Sequence, residues 1–183
     1  MEINVPEELK FLYVQNEQRP VVKIPAPVLR ETAKVVTKIS KRHQDLIDRM
    51  LRSMDMARGI GLAAPQLGVS ERVIVVAPVG MRPMALINPR IVKAEGSMIG
   101  QEGCLSIPGL YGDVERFAKI EVEAIDRRGK KVHLQMEEMA SRVAQHEIDH
   151  LDGILFIDKV DQSTLHWVNP EAPGDDEDDD EEL

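Results

Sequence analysis

The chain has 183 residues, 43% hydrophobic and 30% charged, with 23 basic and 32 acidic side chains and a formal net charge of −9. That length supports one domain with a sizeable core, and no window approaches the ~20 apolar residues of a membrane-spanning helix. A single cysteine, Cys104, excludes an intramolecular disulfide, and a reducing cytoplasm is the expected setting.

In chain order, residues 1–19 are mixed and polar and read as a loosely held arm ahead of a main domain over residues 20–168. The start, Met1 to Pro6, is acidic without an apolar run, so no secretory leader is expected. Lys41 to Arg58 predicts an amphipathic helix with Leu46, Ile47, Met50, Leu51 and Met54 on one face and Ser40 as N-cap. Methionines at that spacing belong to a core face. Gly59 is expected to end this helix. Val73 to Ala77 predicts a short strand ended by Pro78. Leu86-Ile87 and Ile91-Val92 flank Asn88-Pro89, a turn or strand break. Ile120, Val122 and Ala124 alternate with Glu121 and Glu123, and Asp126 to Lys130 turns the chain toward Val132-His133-Leu134, which predicts a β-hairpin. A second helix is expected to start near Glu137 and Glu138, where negative charge suits the helix dipole. Ala140, Val143, Ala144, Ile148 and Leu151 form its apolar face, and Asp152-Gly153 ends it. Strands with a helix on either side predict an α+β fold.

Residues 171–183 hold nine acids and no Lys or Arg, leaving 23 of each sign in the rest. The low pI therefore belongs to an acidic tail, expected over residues 169–183 to stay solvated and disordered. Docking to a basic partner or loose binding of divalent cations is the alternative use of such a run.

The second helix carries the chemistry. Gln145-His146-Glu147-Ile148-Asp149-His150 contains His-Glu-x-x-His, which on a helix places two imidazoles on one face and a carboxylate beside the first. Such a pair holds a metal and the glutamate reaches a water; the plain alternative is a solvated polar turn. A third ligand must come from elsewhere. In one class of zinc protease it is a histidine six residues beyond the second, but that position holds Phe156. Spacing leaves Asp158, Asp161, His166 and Glu171 open. Cys104 is a further candidate: a lone cysteine is usually a small buried hydrophobe, yet Gln101 to Pro108 is a polar, glycine-bearing segment. A thiolate with two imidazoles makes a metal site with an open position.

Three segments together resemble the peptide deformylase family: Gly59-Ile60-Gly61-Leu62-Ala63-Ala64-Pro65-Gln66, Glu102-Gly103-Cys104-Leu105-Ser106, and Gln145 to His150. They occur in the family's order, about 40 residues apart, and the similarity runs from Val21 to Val160. The resemblance implies small sheets packed around a central metal-binding helix. It also implies a metal-dependent hydrolase that removes the formyl group from the N-terminal formylmethionine of new polypeptides. By the same resemblance Cys104, His146 and His150 bind the metal, typically Fe2+, with zinc, nickel or cobalt as substitutes. Glu147 is the general base, and the Gln66 side chain and Leu105 N–H serve the oxyanion. Ile60, Gly61 and Gly103 lie along the edge where the peptide adds as a strand. Tyr111 stands where many bacterial deformylases carry an arginine near the methionine pocket, which opens the side-chain preference.

The implied partners are N-formylmethionyl nascent peptides met near the ribosome. Some deformylases end in a basic helix linked to ribosome docking; this chain turns acidic after Trp167, so stable nucleic-acid binding is not expected. Glu102 and Arg116 can pair to brace the Cys104 loop, although surface pairing is the default for such residues. His43, His133 and His166 read as ordinary surface or strand residues. Two other readings compete: a zinc endopeptidase, and a non-catalytic binding protein that uses its acidic tail. The missing third histidine counts against the first. Retention of Glu147 and Gln66, which a structural metal does not need, counts against the second.

Overall fold

A computed structural model describes residues 3–169. The expected acidic tail lies, apart from Asn169, outside the described residues, as does Glu171. Among the described residues, two α-helices and two antiparallel sheets make an α+β fold: α1 (Lys41–Met56), β1 (Gly61–Ala63), β2 (Val73–Val76), β3 (Met84–Glu95), β4 (Met98–Cys104), β5 (Ile107–Arg116), β6 (Lys119–Ile125), β7 (Lys131–Glu137), α2 (Glu138–Leu151) and β8 (His166–Trp167). The larger sheet has the order β1-β2-β3-β6-β7 and the smaller β4-β5-β8.

The larger sheet lies between the helices, and β2 shows why. Its run Val73-Ile74-Val75-Val76 is buried throughout. Ile74 and Val76 pack with Val143, Ala144 and Ile148 of α2. Val73 and Val75 pack with Leu46, Ile47 and Met50 of α1. A strand covered on both faces reads as a continuous apolar run because period-two alternation has no wet face to report. The outer hairpin of β6 and β7 does alternate, with Ile120, Val122 and Ala124 toward α2 and Glu121 and Glu123 on the other face. A third core lies under the smaller sheet, where Ile107, Leu110 and Val114 meet Leu29, Leu155 and Phe156.

Four expectations change. The arm does not hang loose: a 3-10 helix, Glu7–Tyr13, buries Leu9 and Leu12, which sit against Gly109 of β5. Residues three apart eclipse on a 3-10 turn, so the two leucines share a side. The left-handed residue after α1 is Arg58, at φ 53, and not Gly59. Gly59 follows it and donates its N–H to Met54 O at 2.9 Å, while Arg58 N–H donates to Asp55 O. This is the double bond pattern of a Schellman ending. Asn88-Pro89 does not break the strand: β3 runs through it with a register shift against β6, and Asn88 takes φ 51 while its side chain bonds both backbone groups of Val36. This is a β-bulge, which bends a strand without ending it. His43 is a buried residue of α1, with Nδ1 accepting from the Ser40 N–H at 3.0 Å.

Candidate active site

α2 presents Arg142, His146 and His150 at intervals of four, so the three share one stripe. That stripe faces the end of β4, where a register shift between Gly103 and Cys104 interrupts the ladder with β5. The Cys104 sulfur lies 3.3 Å from His150 Nε2. One ligand atom from each of Cys104, His146 and His150 falls within 4.8 Å of the others. Burial opposes ionisation of the Cys104 thiol, but the two histidines outweigh it and hold the thiol well below its ordinary range. His146 Nδ1 lies 2.9 Å from Glu102 Oε2, which leaves Nε2 as the ring nitrogen it could offer a metal. His150 Nδ1 is buried without a protein partner. A thiolate and two imidazoles, one oriented by a carboxylate, fit a divalent transition metal with room for a further ligand.

Glu147 shares the helix turn and its carboxyl oxygen Oε2 is buried without a hydrogen-bond partner. Burial pushes its carboxyl up to about 7, against the pull of both histidines. Gly61 is what lets this carboxylate lie against β1: a Cβ there would stand 2.3 Å from Glu147 Oε1. Gly103 is constrained likewise, since a Cβ would meet the Tyr111 ring at 2.5 Å. Gln66 sits in the 3-10 turn Ala64–Leu67. Its Oε1 accepts from Ala63 N–H at 2.9 Å, so Nε2 faces Ser106 Oγ at 3.1 Å and Cys104 Sγ at 3.6 Å.

Cys104, His146, Glu147, Glu102, Gln66, Gly61 and Gly103 line one cleft of about 990 Å³, together with Ile60, Leu105, Tyr111 and the arm residues Leu12 and Arg19; His150 lies beneath it, against the Cys104 sulfur. That volume exceeds the need of a formyl group and admits several residues of peptide. β1 and β4 are both edge strands of their sheets, and Gly61 and Gly103 on them line the cleft.

Every site residue expected from the sequence is therefore brought to this cleft or its floor. The competing third ligands are engaged elsewhere: Asp158 with Arg30, Asp161 with Ser163, and His166 with the Thr164 carbonyl. Phe156 is buried, its ring 6.4 Å from that of His146. Glu102 and Arg116 are not a surface pair: both are buried, joined by two hydrogen bonds of 2.9 Å. Sequence reasoning missed four contributors. Arg142 Nη1 donates to Glu102 Oε1 at 2.8 Å and to the Val114 carbonyl. Asp149 bonds Arg116 from the other side. Ser106 receives the Gln66 amide, and Lys23 reaches the Leu105 carbonyl. For Arg142 a signal existed, because it lies one turn before His146 on the same stripe. Lys23, 82 residues from its acceptor, left none.

A helix-borne pair of histidines with its glutamate, completed by a cysteine from a sheet edge, defines a metal-dependent hydrolase with an open cleft. The polypeptide deformylase family model matches residues 18–166. Among curated proteins, a peptide deformylase of Symbiobacterium thermophilum is 57% identical over 76% of this chain, which spans 65% of that protein's length. One of Halothermothrix orenii is 53% identical over 75% of this chain and 90% of its own. Among solved structures, the peptide deformylase of Thermotoga maritima superposes with a TM-score of 0.74 at 42% identity, covering 76% of this chain and 95% of that one. That of Acinetobacter baumannii bound to Met-Ala-Ser gives 0.74 at 34% identity, over 77% and 97%. The chain belongs to the polypeptide deformylase family, metal-dependent hydrolases that remove the formyl group from N-terminal formylmethionine.

Proposed function

We propose that this chain deformylates nascent N-formylmethionyl peptides in the cytoplasm, with ferrous iron held by Cys104, His146 and His150; zinc, nickel or cobalt can substitute. The observation that carries this reading is the approach of those three ligand atoms to within 4.8 Å beside Glu147 and Gln66. The ion, when bound, supplies a Lewis acid that makes water nucleophilic and polarises a carbonyl. Glu147 takes the proton of the attacking water and returns it to the leaving amine. A carboxyl that burial holds near 7 is suited to both transfers at neutral pH. Attack places negative charge on the formyl oxygen, and the Gln66 amide and Leu105 N–H donate to it. Breaking the C–N bond then yields formate and a free amino terminus.

The peptide adds as a strand in the cleft, using the backbone of Ile60, Gly61 and Gly103. The Met-Ala-Ser held by the A. baumannii relative supports a methionine-first peptide. Tyr111, beside Gly103, borders the methionine pocket. Encounter with nascent chains near the ribosome is transient, because nine acids at the C-terminal end oppose lasting contact with RNA. No described helix is long and apolar enough to cross a membrane.

The test is formate release from formyl-Met-Ala by anaerobically purified protein, with metal analysis of the same sample. Glu147→Gln is expected to keep its metal and lose roughly 100-fold or more in kcat. Turnover near the wild-type rate would remove Glu147 as the base. Cys104→Ala is expected to lose the metal, and full retention would move the third ligand elsewhere.

A further inference from the structure

Residues 22–24 run beside both donors assigned to the oxyanion. Val22 N–H donates to the Gln66 carbonyl at 2.8 Å, and Ile24 N–H to the Ser106 carbonyl at 3.1 Å. Between them, Lys23 Nζ donates to the Leu105 carbonyl at 2.9 Å. The same peptide unit has its N–H on Ser106, and that N–H donates to Cys104 Sγ at 3.4 Å. One peptide plane thus carries an ammonium group at its oxygen and the sulfur ligand at its hydrogen. A cation on a carbonyl oxygen draws electron density from the amide and strengthens the N–H as a donor. It also fixes the plane's rotation, and the Leu105 N–H lies one residue back along the chain.

We propose that Lys23 is a positioning residue: through the Leu105–Ser106 peptide it orients the Leu105 N–H and withdraws electron density from the Cys104 sulfur. What Leu105 and Cys104 do in the reaction rests on the deformylase reading above. Lys23 also lines the cleft, so a role in holding the peptide is the competing outcome. The two separate kinetically. A substrate-binding lysine controls KM, whereas a group that aligns an oxyanion donor controls kcat.

The experiment compares cobalt-loaded wild type, Lys23→Met, Lys23→Arg and Glu147→Gln. For Lys23→Met at equal cobalt content, kcat on formyl-Met-Ala is expected to fall about tenfold with KM within about twofold, less than outright loss of an oxyanion donor. The thiolate-to-cobalt absorption band is expected to move to longer wavelength, because the sulfur becomes more electron-rich. Lys23→Arg, which keeps a cation and a donor, is expected to restore most of both. Unchanged kcat and an unmoved band in Lys23→Met overturn the proposal, as does an effect confined to KM. If Lys23→Met fails to fold, Lys23→Gln replaces it under the same criteria. Loss of turnover in Glu147→Gln with normal Lys23→Met leaves the deformylase reading standing and removes Lys23. Wild-type protein that releases no formate removes the reading itself, and the band shift alone then decides the Lys23–sulfur contact.

Discussion

Two sets of charges in this molecule use the same residue types to different effect. Behind Cys104, His146 and His150, the residues proposed to hold the metal, Glu102 accepts from Arg116, Arg142 and His146, and Arg116 also bonds Asp149. The Arg116 and Glu102 side chains are 2% and 4% exposed. On the outer face of the larger sheet, Arg90 pairs with Glu123 across β3 and β6 at 2.7 Å, with side chains 72% and 49% exposed. The contact distances are alike and the surroundings are not. In water an ion pair replaces good hydration with a slightly better contact and contributes little. In the interior each member depends on the other, because an unpaired charge there has no solvent. The buried set is also the one that touches His146. Placing a buried carboxylate behind the His146 imidazole requires neutralising it, and two arginines do so.

The largest way to break this comparison is to remove the centre of the buried set. Arg116→Met leaves Glu102 and Asp149 facing an apolar side chain, and a loss of about 3–5 kcal/mol in unfolding free energy is expected by denaturant titration. A loss below about 1 kcal/mol would show that the interior charges behave like surface ones. The next effect concerns the metal. Glu102→Gln keeps the shape but takes the charge from His146 Nδ1, and about 10–100-fold weaker metal retention is expected in competition with a chelator. Wild-type retention would mean that Glu102 supports only the fold.

How much of this was readable follows from the range of each signal. α2, Glu138–Leu151, was legible because an apolar face, an acidic start and a glycine just past its end all lie in one short stretch of chain. The gathering of Cys104, His146, His150 and Glu147 was legible because their spacing is short or their motif specific. Arg58 hid the helix ending, since φ 53 is a position that sequence reasoning assigns to the glycine next to it. Leu9 and Leu12 hid the docked arm, because a 3-10 helix of seven residues is too short to show a period. Glu102 and Arg116 were paired correctly and placed wrongly. Nothing about a glutamate and an arginine 14 residues apart says whether water lies between them; that depends on α2 covering the strand ends. Arg142 shows the other limit, since its stripe was visible but its target, the carbonyls of β4 and β5, exists only once the smaller sheet forms.

The smallest expected effect sharpens the comparison from the exposed side. A double-mutant cycle on Arg90→Ala and Glu123→Ala isolates the pair from the two side chains' separate contributions. The coupling energy is expected to be at most about 1 kcal/mol and to fall further in 1 M salt. Two features could raise it. The pair bridges β3 and β6 beside the Asn88 bulge, where the register shifts between Ile87 and Arg90. Cross-strand opposite charges can also help hold register. If the bulge depends on this contact, the coupling will exceed about 1 kcal/mol and persist in salt, since strand register and not screened attraction is then being measured. A small, salt-sensitive value leaves register to the packing of Leu86, Ile120 and Val122 against α2. In that case the charges of the outer face serve solvation, and those behind His146 alone carry structural weight.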